Sequence, residues 1–68
     1  MFSAEAFANL LEKHNMSQAD ICRATGLSAA YLSTLSKGNI KDPSLGKSLL
    51  IAHALGMTLD DFYDRTME

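Results

Sequence analysis

The chain has 68 residues, of which 47% are hydrophobic and 21% are charged, and its formal net charge at neutral pH is −2. This length accommodates one small domain, predicted over residues 1–68, and no apolar run approaches the roughly 20 residues of a membrane span or resembles a signal peptide. Cys22 is the only cysteine, which excludes an internal disulfide and favours a reducing cytoplasm.

The charges are distributed unevenly along the chain. Acidic residues are in excess in segments 1–20 and 58–68, whereas the middle segment is basic. The positive charges of that middle segment are Arg23, Lys37, Lys41 and Lys47. A net negative charge argues against nucleic-acid binding, but the clustering of cations in one segment weakens that objection. Because so few cations neutralise only a few phosphates, we expect weak non-specific binding to DNA.

The first predicted helix covers Ser3–His14. Ser3 is a suitable N-cap, because its hydroxyl can accept a backbone N–H of the first turn. Phe7, Leu10 and Leu11 follow with the i, i+3, i+4 spacing of a buried helix face. This helix is therefore predicted to contribute one side of the core.

Two short helices joined by a tight turn are predicted within Ser17–Lys37. Ser17 caps the first of them, and Gly26 is suited to end it in a left-handed conformation. Ser28 caps the second helix after one intervening residue, Leu27, which must enter the core. A connection this short sets the two helices at a steep angle, which is the helix-turn-helix arrangement.

The second of these helices, Ser28–Ser36, has an outward face of small residues. Helical periodicity turns Leu32 and Leu35 inward. The opposite face is mostly uncharged and consists of Ala29, Ala30, Ser33, Thr34 and Lys37. A solvated helix would carry Glu and Lys there in i,i+4 pairs, whereas small side chains allow close approach to another surface. The major groove of DNA admits a helix and offers base edges to Ser and Thr and thymine methyls to Ala, so this face predicts binding to double-stranded DNA.

Two further helices are predicted after the loop of residues 37–43. The fourth helix covers Ser44–Leu55 and ends at Gly56. Its predicted inward stripe is Leu45, Leu49, Ala52 and Leu55, with Ile51 beside it. Thr58 caps the fifth helix, Leu59–Thr66, from which Leu59 and Phe62 should enter the core.

Three apolar side chains are left near the surface by this assignment. They are Leu50, Tyr63 and Met67. They either bury one another across a two-fold axis, as a dimer interface, or close over the domain's own end.

The segments SQADICRATGLSAAYLSTLSKG and DPSLGKSLLIAHALGMTLDDF resemble the lambda-repressor-like helix-turn-helix family, of the phage repressor, Cro and XRE type. The resemblance extends from about Phe7 to Phe62. It implies an all-α fold, a compact five-helix domain with the helix-turn-helix at helices 2 and 3. It also implies binding to operator DNA, with a homodimer at least on the DNA.

The resemblance implies which residues contact DNA. Gln18 matches a glutamine that clamps the DNA backbone in the family. The residues at base-reading positions are Ser28, Ala29, Ala30, Ser33 and Thr34. The residues at positions that touch the sugar–phosphate backbone are Lys37, Asn39 and Lys41. Tyr31 lies at the edge of this surface and either reaches a phosphate or packs beneath the helix.

Catalysis is not expected from this sequence. No Ser/His/Asp or Cys/His catalytic arrangement is evident, and no other candidate metal ligand accompanies the two histidines. No metal, cofactor or small-molecule ligand is therefore predicted. The main hypothesis is a sequence-specific DNA-binding transcriptional regulator, a repressor of the phage, plasmid or prophage switch type. The alternative is an adapter or antitoxin-like protein-interaction module that kept the fold without strong DNA binding. The acidic ends and the Ala29-Ala30 pair favour that alternative.

Overall fold

A computed structural model describes residues 1–67 of the chain, which form five α-helices and no strand. The helices are α1 (Ala4–Lys13), α2 (Gln18–Thr25), α3 (Ala29–Ser36), α4 (Leu45–Ala54) and α5 (Leu59–Thr66). Both the number of helices and their order agree with the sequence prediction. None of these helices combines the length and the apolar character needed to cross a lipid bilayer.

Every helix begins at a hydroxyl-bearing N-cap, and the sequence predicts four of the five. The caps are Ser3, Ser17, Ser28, Ser44 and Thr58. Each side-chain oxygen accepts the backbone N–H three residues later, which satisfies a donor that has no partner inside the helix. The predicted helix-ending glycines Gly26 and Gly56 have positive φ, as does Gly38 after α3. Local chemistry therefore sets the helix boundaries.

The core lies where α1 packs against α3 and α5, and α4 packs against α2 and α5. Its fully buried side chains include Phe7, Ile21, Leu32, Leu35 and Phe62. The rings of Phe7 and Phe62 meet edge to face, with their centroids 6.3 Å apart, a favourable arrangement for two aromatic rings. The side of α3 that carries Leu32 and Leu35 therefore packs against this core.

The N-terminal residues join two parts of the chain that are distant in sequence. The Phe2 N–H donates to the carbonyl of Lys41, and the Ser3 N–H donates to the carbonyl of Thr66, both at 2.6 Å. Phe2 also forms an isolated antiparallel bridge with Met67, and its ring is buried beside that of Phe7. The start of the chain thus connects the loop after α3 to the end of α5.

The predicted inward stripe of α4 is wrong at two positions. Leu45 is 62% exposed and Leu49 is 39% exposed, whereas Ser48 is fully buried. The buried stripe contains Ser48, Ile51, Ala52 and Leu55, which also follow the i, i+3, i+4, i+7 spacing of a helix face. The leucines suggested a different rotation of the helix, because the sequence does not show that a serine occupies a core position. Leu59, expected in the core, is only half-buried.

Candidate nucleic-acid interface

The turn between α2 and α3 is fixed by local hydrogen bonds. Gly26 has a φ of +78° and donates its N–H to the carbonyl of Cys22 at 2.8 Å, which ends α2. The Thr25 hydroxyl donates to the Ile21 carbonyl at 2.7 Å and accepts the N–H of Leu27 at 3.1 Å. Leu27 packs against the core, as predicted. Thr25 therefore links the last turn of α2 to Leu27 in the turn. The sequence did not indicate this role for Thr25.

The inner face of α3 is anchored by two fully buried leucines. Leu32 and Leu35 have no exposed surface, in agreement with the periodicity argument. Because both contact the same core, α3 has a fixed rotation about its axis. The outward face is therefore held in one orientation.

Most of the residues predicted to lie on the outward face of α3 are exposed. The exposed residues at the predicted base-reading positions are Ser28, Ala29, Ala30 and Thr34, and Ser33 is half-buried. Two of their hydroxyls already have partners within the helix. The Ser28 Oγ accepts the Tyr31 N–H at 3.0 Å, and the Thr34 hydroxyl donates to the Ala30 carbonyl at 2.9 Å. No charged side chain lies within this set of positions.

Tyr31 packs beneath α3, which was one of its two predicted roles. Its side chain is half-buried against the core, and its hydroxyl oxygen is buried without a hydrogen-bond partner among residues 1–67. Burial raises the pKa of the Tyr31 hydroxyl. The Lys47 Nζ lies 4.4 Å from the ring centroid, a cation–π distance. Tyr31 thereby places a lysine of α4 beside α3.

The N-terminus of α2 is held by a reciprocal capping box. The Ser17 N–H donates to Asp20 Oδ2 at 2.8 Å, and the Asp20 N–H donates to Ser17 Oγ at 3.1 Å. The hydrogen bond from the Ser17 N–H is the main cause of the lowered Asp20 pKa, and the neighbouring Arg23 guanidinium also pairs with this carboxylate. Gln18, the first residue of α2, is exposed beside the box.

The loop after α3 carries three predicted backbone-contacting residues, and all three are exposed. They are Lys37, Asn39 and Lys41. The Asn39 N–H donates to the Thr34 carbonyl at 3.2 Å, which ties the start of the loop to the last turn of α3. The far part of the loop is held through Lys41, whose carbonyl accepts the Phe2 N–H. Sequence reasoning did not identify Phe2, because a hydrophobic residue near a chain end does not reveal its distant partner.

The candidate dimer residues differ in exposure. Leu50 is 45% exposed, whereas Tyr63 and Met67 are half-buried and pack against the core of their own chain. The packing of Tyr63 and Met67 agrees with the alternative that they close over the end of the domain. Their participation in a dimer stays a prediction.

Two surface clefts lie away from α3. One, of about 250 Å³, is lined by Ala6, Asn9, Leu10, Lys13 and Arg65, and the other, of about 350 Å³, lies where α1 is connected to α2. Neither cleft contains a residue of α3. Neither cleft is therefore part of the candidate interface.

A comparison with protein-family models matched residues 7–68 to the Cro/C1-type HTH DNA-binding domain. A search of curated proteins found no match. The family match covers almost the whole chain, including both helices of the helix-turn-helix. It agrees with the five-helix order, the capped α2 and α3, and the left-handed glycine between them. The chain belongs to the Cro/C1-type helix-turn-helix family of DNA-binding domains, which confirms the resemblance to lambda-repressor-like proteins.

Proposed function

We propose that the protein is a sequence-specific transcriptional regulator, a repressor that acts in the cytoplasm by placing α3 in the major groove of an operator half-site. The observation that carries this proposal is the outward face of α3, which is uncharged from Ser28 to Thr34 and whose orientation is fixed by the buried Leu32 and Leu35. A helix with such a face can approach base edges closely, because no long side chain keeps its axis away from the groove floor. The family assignment supplies the class of ligand.

Residues that flank α3 are proposed to hold the DNA backbone. Gln18 at the start of α2 and the exposed Lys37, Asn39 and Lys41 would contact phosphates, and such contacts fix the register of the protein without selecting sequence. The hydrogen bond between Phe2 and Lys41 limits the movement of the loop, which favours a defined phosphate contact. Lys37, Asn39 and Lys41 belong to the basic middle segment of the chain.

Two subunits are proposed to bind one operator. Each α3 would enter one half-site, and the half-sites would lie one helical turn, about 34 Å, apart. Leu50, with the partly exposed Tyr63 and Met67, is the proposed contact between subunits. Leu45 and Leu49 add exposed apolar surface on the same helix, and apolar surface of this kind is typical of a protein contact.

A protein-interaction module without DNA binding is the second candidate function. The exposed leucines of α4 and the net charge of −2 favour it. In this case the α4 surface would bind another protein, and the face of α3 would have no ligand.

A salt-titrated binding assay on random duplex DNA separates the two functions. A DNA-binding protein loses affinity as salt rises, and the slope of log affinity against log salt is about −0.9 for each phosphate neutralised. We expect a shallow but measurable slope, because the cations around α3 are few. Undetectable binding at the lowest salt concentration would contradict the proposed function and favour the interaction module.

Selection from a random duplex pool tests the specific and dimeric parts of the proposal together. We expect enrichment of a two-fold symmetric motif with half-site centres one turn apart. Enrichment of a single, unpaired half-site would contradict the proposed dimer but retain DNA recognition. Failure to enrich any motif would contradict sequence-specific binding.

A further inference from the structure

The outward face of α3 offers methyl groups in preference to free hydrogen-bond donors. Ala29 and Ala30 are exposed and end in methyl groups. The hydroxyl of the exposed Thr34 donates its hydrogen to the Ala30 carbonyl, at 2.9 Å within the same helix. This bond commits the one donor of that side chain, so the groups left to meet a base are the Thr34 methyl and the lone pairs of its oxygen. Thr34 therefore offers an apolar group and an acceptor, but no free donor, on this face.

Between Ser28 and Ser36 the outward face lacks the side chains that recognise purines through two hydrogen bonds, and Lys37, the one lysine of this face, is proposed to contact phosphate. Guanine is most often contacted by Arg or Lys, and adenine by Asn or Gln. None of these residue types occurs in residues 28–36. The remaining polar groups are the hydroxyls of Ser28 and Ser33, and Ser28 Oγ already caps the helix. A face of this composition can distinguish bases mainly by shape and by apolar contact.

We propose that α3 selects operator half-sites through the C5-methyl groups of thymines, which Ala29, Ala30 and Thr34 contact. Thymine is the base whose major-groove edge carries a methyl group, and alanine and threonine methyls are suited to contact it. The half-site under these three residues is accordingly rich in A·T pairs. This inference rests on the proposed function, because it concerns the bases that α3 would contact in DNA.

Replacement of thymine by deoxyuridine in the selected duplex tests the inference without altering the protein. The replacement removes the C5-methyl and keeps the pairing edge and the O4 acceptor. We expect affinity to fall about fourfold for each contacted thymine, the effect of exposing one methyl group. Thymines outside the half-sites are the control and should tolerate the change.

The outcomes distinguish this inference from the function on which it rests. Tight binding of the unmodified duplex, with no loss at any uracil position, would overturn the thymine-methyl contact and retain DNA recognition. A chain that binds no selected duplex would contradict the proposed function itself. A selected half-site composed of G·C pairs would also overturn the inference.

Two substitutions of Thr34 separate its methyl from its hydroxyl. Thr34→Val replaces the hydroxyl with a second methyl group and keeps the first, so this variant should keep both the affinity for DNA and the sensitivity to uracil. Thr34→Ser keeps the hydroxyl and removes the methyl, so it should lose about fourfold in affinity and become insensitive to uracil at one thymine. The reverse result, with Ser tolerated and Val not, would overturn the role of the methyl.

Lys41→Ala is the matched control for these variants. Lys41 is proposed to contact a phosphate, so this change should weaken binding to thymine and uracil duplexes by the same factor. Equal unfolding midpoints in urea for the three variants and the parent protein exclude a difference in folding as the cause.

Discussion

The helices α3 and α4 distribute their side chains in opposite ways. The α3 helix buries two leucines and exposes small residues such as Ala29 and Ala30. The α4 helix exposes Leu45, which is 62% accessible, and buries Ser48 completely. Both helices have hydroxyl caps and contribute to the same core. The two helices therefore differ in the size of the side chains that each one exposes to solvent.

This difference shows how exposed composition distinguishes two kinds of surface. A helix that retains only small groups outside can approach a grooved ligand closely, and α3 carries such groups at the proposed base-reading positions. Large exposed leucines instead favour contact with another protein surface, because their burial removes apolar area from water. On this basis we propose base contacts for α3 and protein contacts for α4.

The largest expected effect on stability comes from comparing one leucine of α3 with one leucine of α4. Leu32→Ala should lower the free energy of unfolding by about 2–5 kcal/mol, because it leaves a cavity in a closely packed core. Leu45→Ala should change it by less than about 0.5 kcal/mol, because that side chain is mostly in water. Urea denaturation of both variants measures the contrast. Similar losses would show that α4 is packed more tightly than its exposure indicates.

The next largest effect on stability comes from comparing a glycine that follows α3 with a glycine inside α4. Gly38 has a φ of +79°, so Gly38→Ala should destabilise the protein by about 1–2 kcal/mol. An added Cβ there would lie 3.7 Å from the Ala4 Cβ, an ordinary contact, so the cost comes from the backbone conformation. Gly46 lies within α4 with open space around it, and Gly46→Ala should stabilise the protein by about 1 kcal/mol. Thermal unfolding should show shifts of opposite sign, and shifts of the same sign would contradict this assignment.

The smallest effect concerns the buried serine of α4. The Ser48 hydroxyl has no hydrogen-bond partner among residues 1–67, so Ser48→Ala should remove an unsatisfied polar group and stabilise the protein by about 1 kcal/mol. Ser33→Ala on α3 is the control, since it measures the gain in helix propensity from serine to alanine alone. Chemical denaturation should give the larger gain for Ser48→Ala. An equal gain would indicate that the Ser48 hydroxyl finds a partner.

The helix boundaries could be predicted because they depend on neighbours in sequence. A serine cap such as Ser28 bonds within its own helix, and a glycine such as Gly26 adopts a positive φ for reasons of its own backbone. The outward face of α3 was predictable for the same reason, since Leu32 and Leu35 define its rotation unambiguously.

Features that depend on distant contacts could not be predicted. Phe2 bonds to Lys41 in the loop after α3 and pairs with Met67 at the end of α5, and no local sequence pattern indicates either contact. The rotation of α4 was misassigned because leucines were expected inside, whereas tertiary packing placed Ser48 there. The internal bond of the Thr34 hydroxyl is local, but its rotamer is not specified by residue type.

The most direct test of the account is the DNA affinity of a protein with a glutamate on the outward face of α3. Ala30→Glu adds a long negative side chain where the groove floor should lie, and Ala8→Glu adds the same group on the exposed surface of α1. Both variants have the same net charge, so their comparison isolates position. On the selected operator, we predict about a hundredfold loss of affinity for Ala30→Glu and a change of less than about threefold for Ala8→Glu. Equal affinity of the two variants, with both folded, would contradict the insertion of α3 into the major groove.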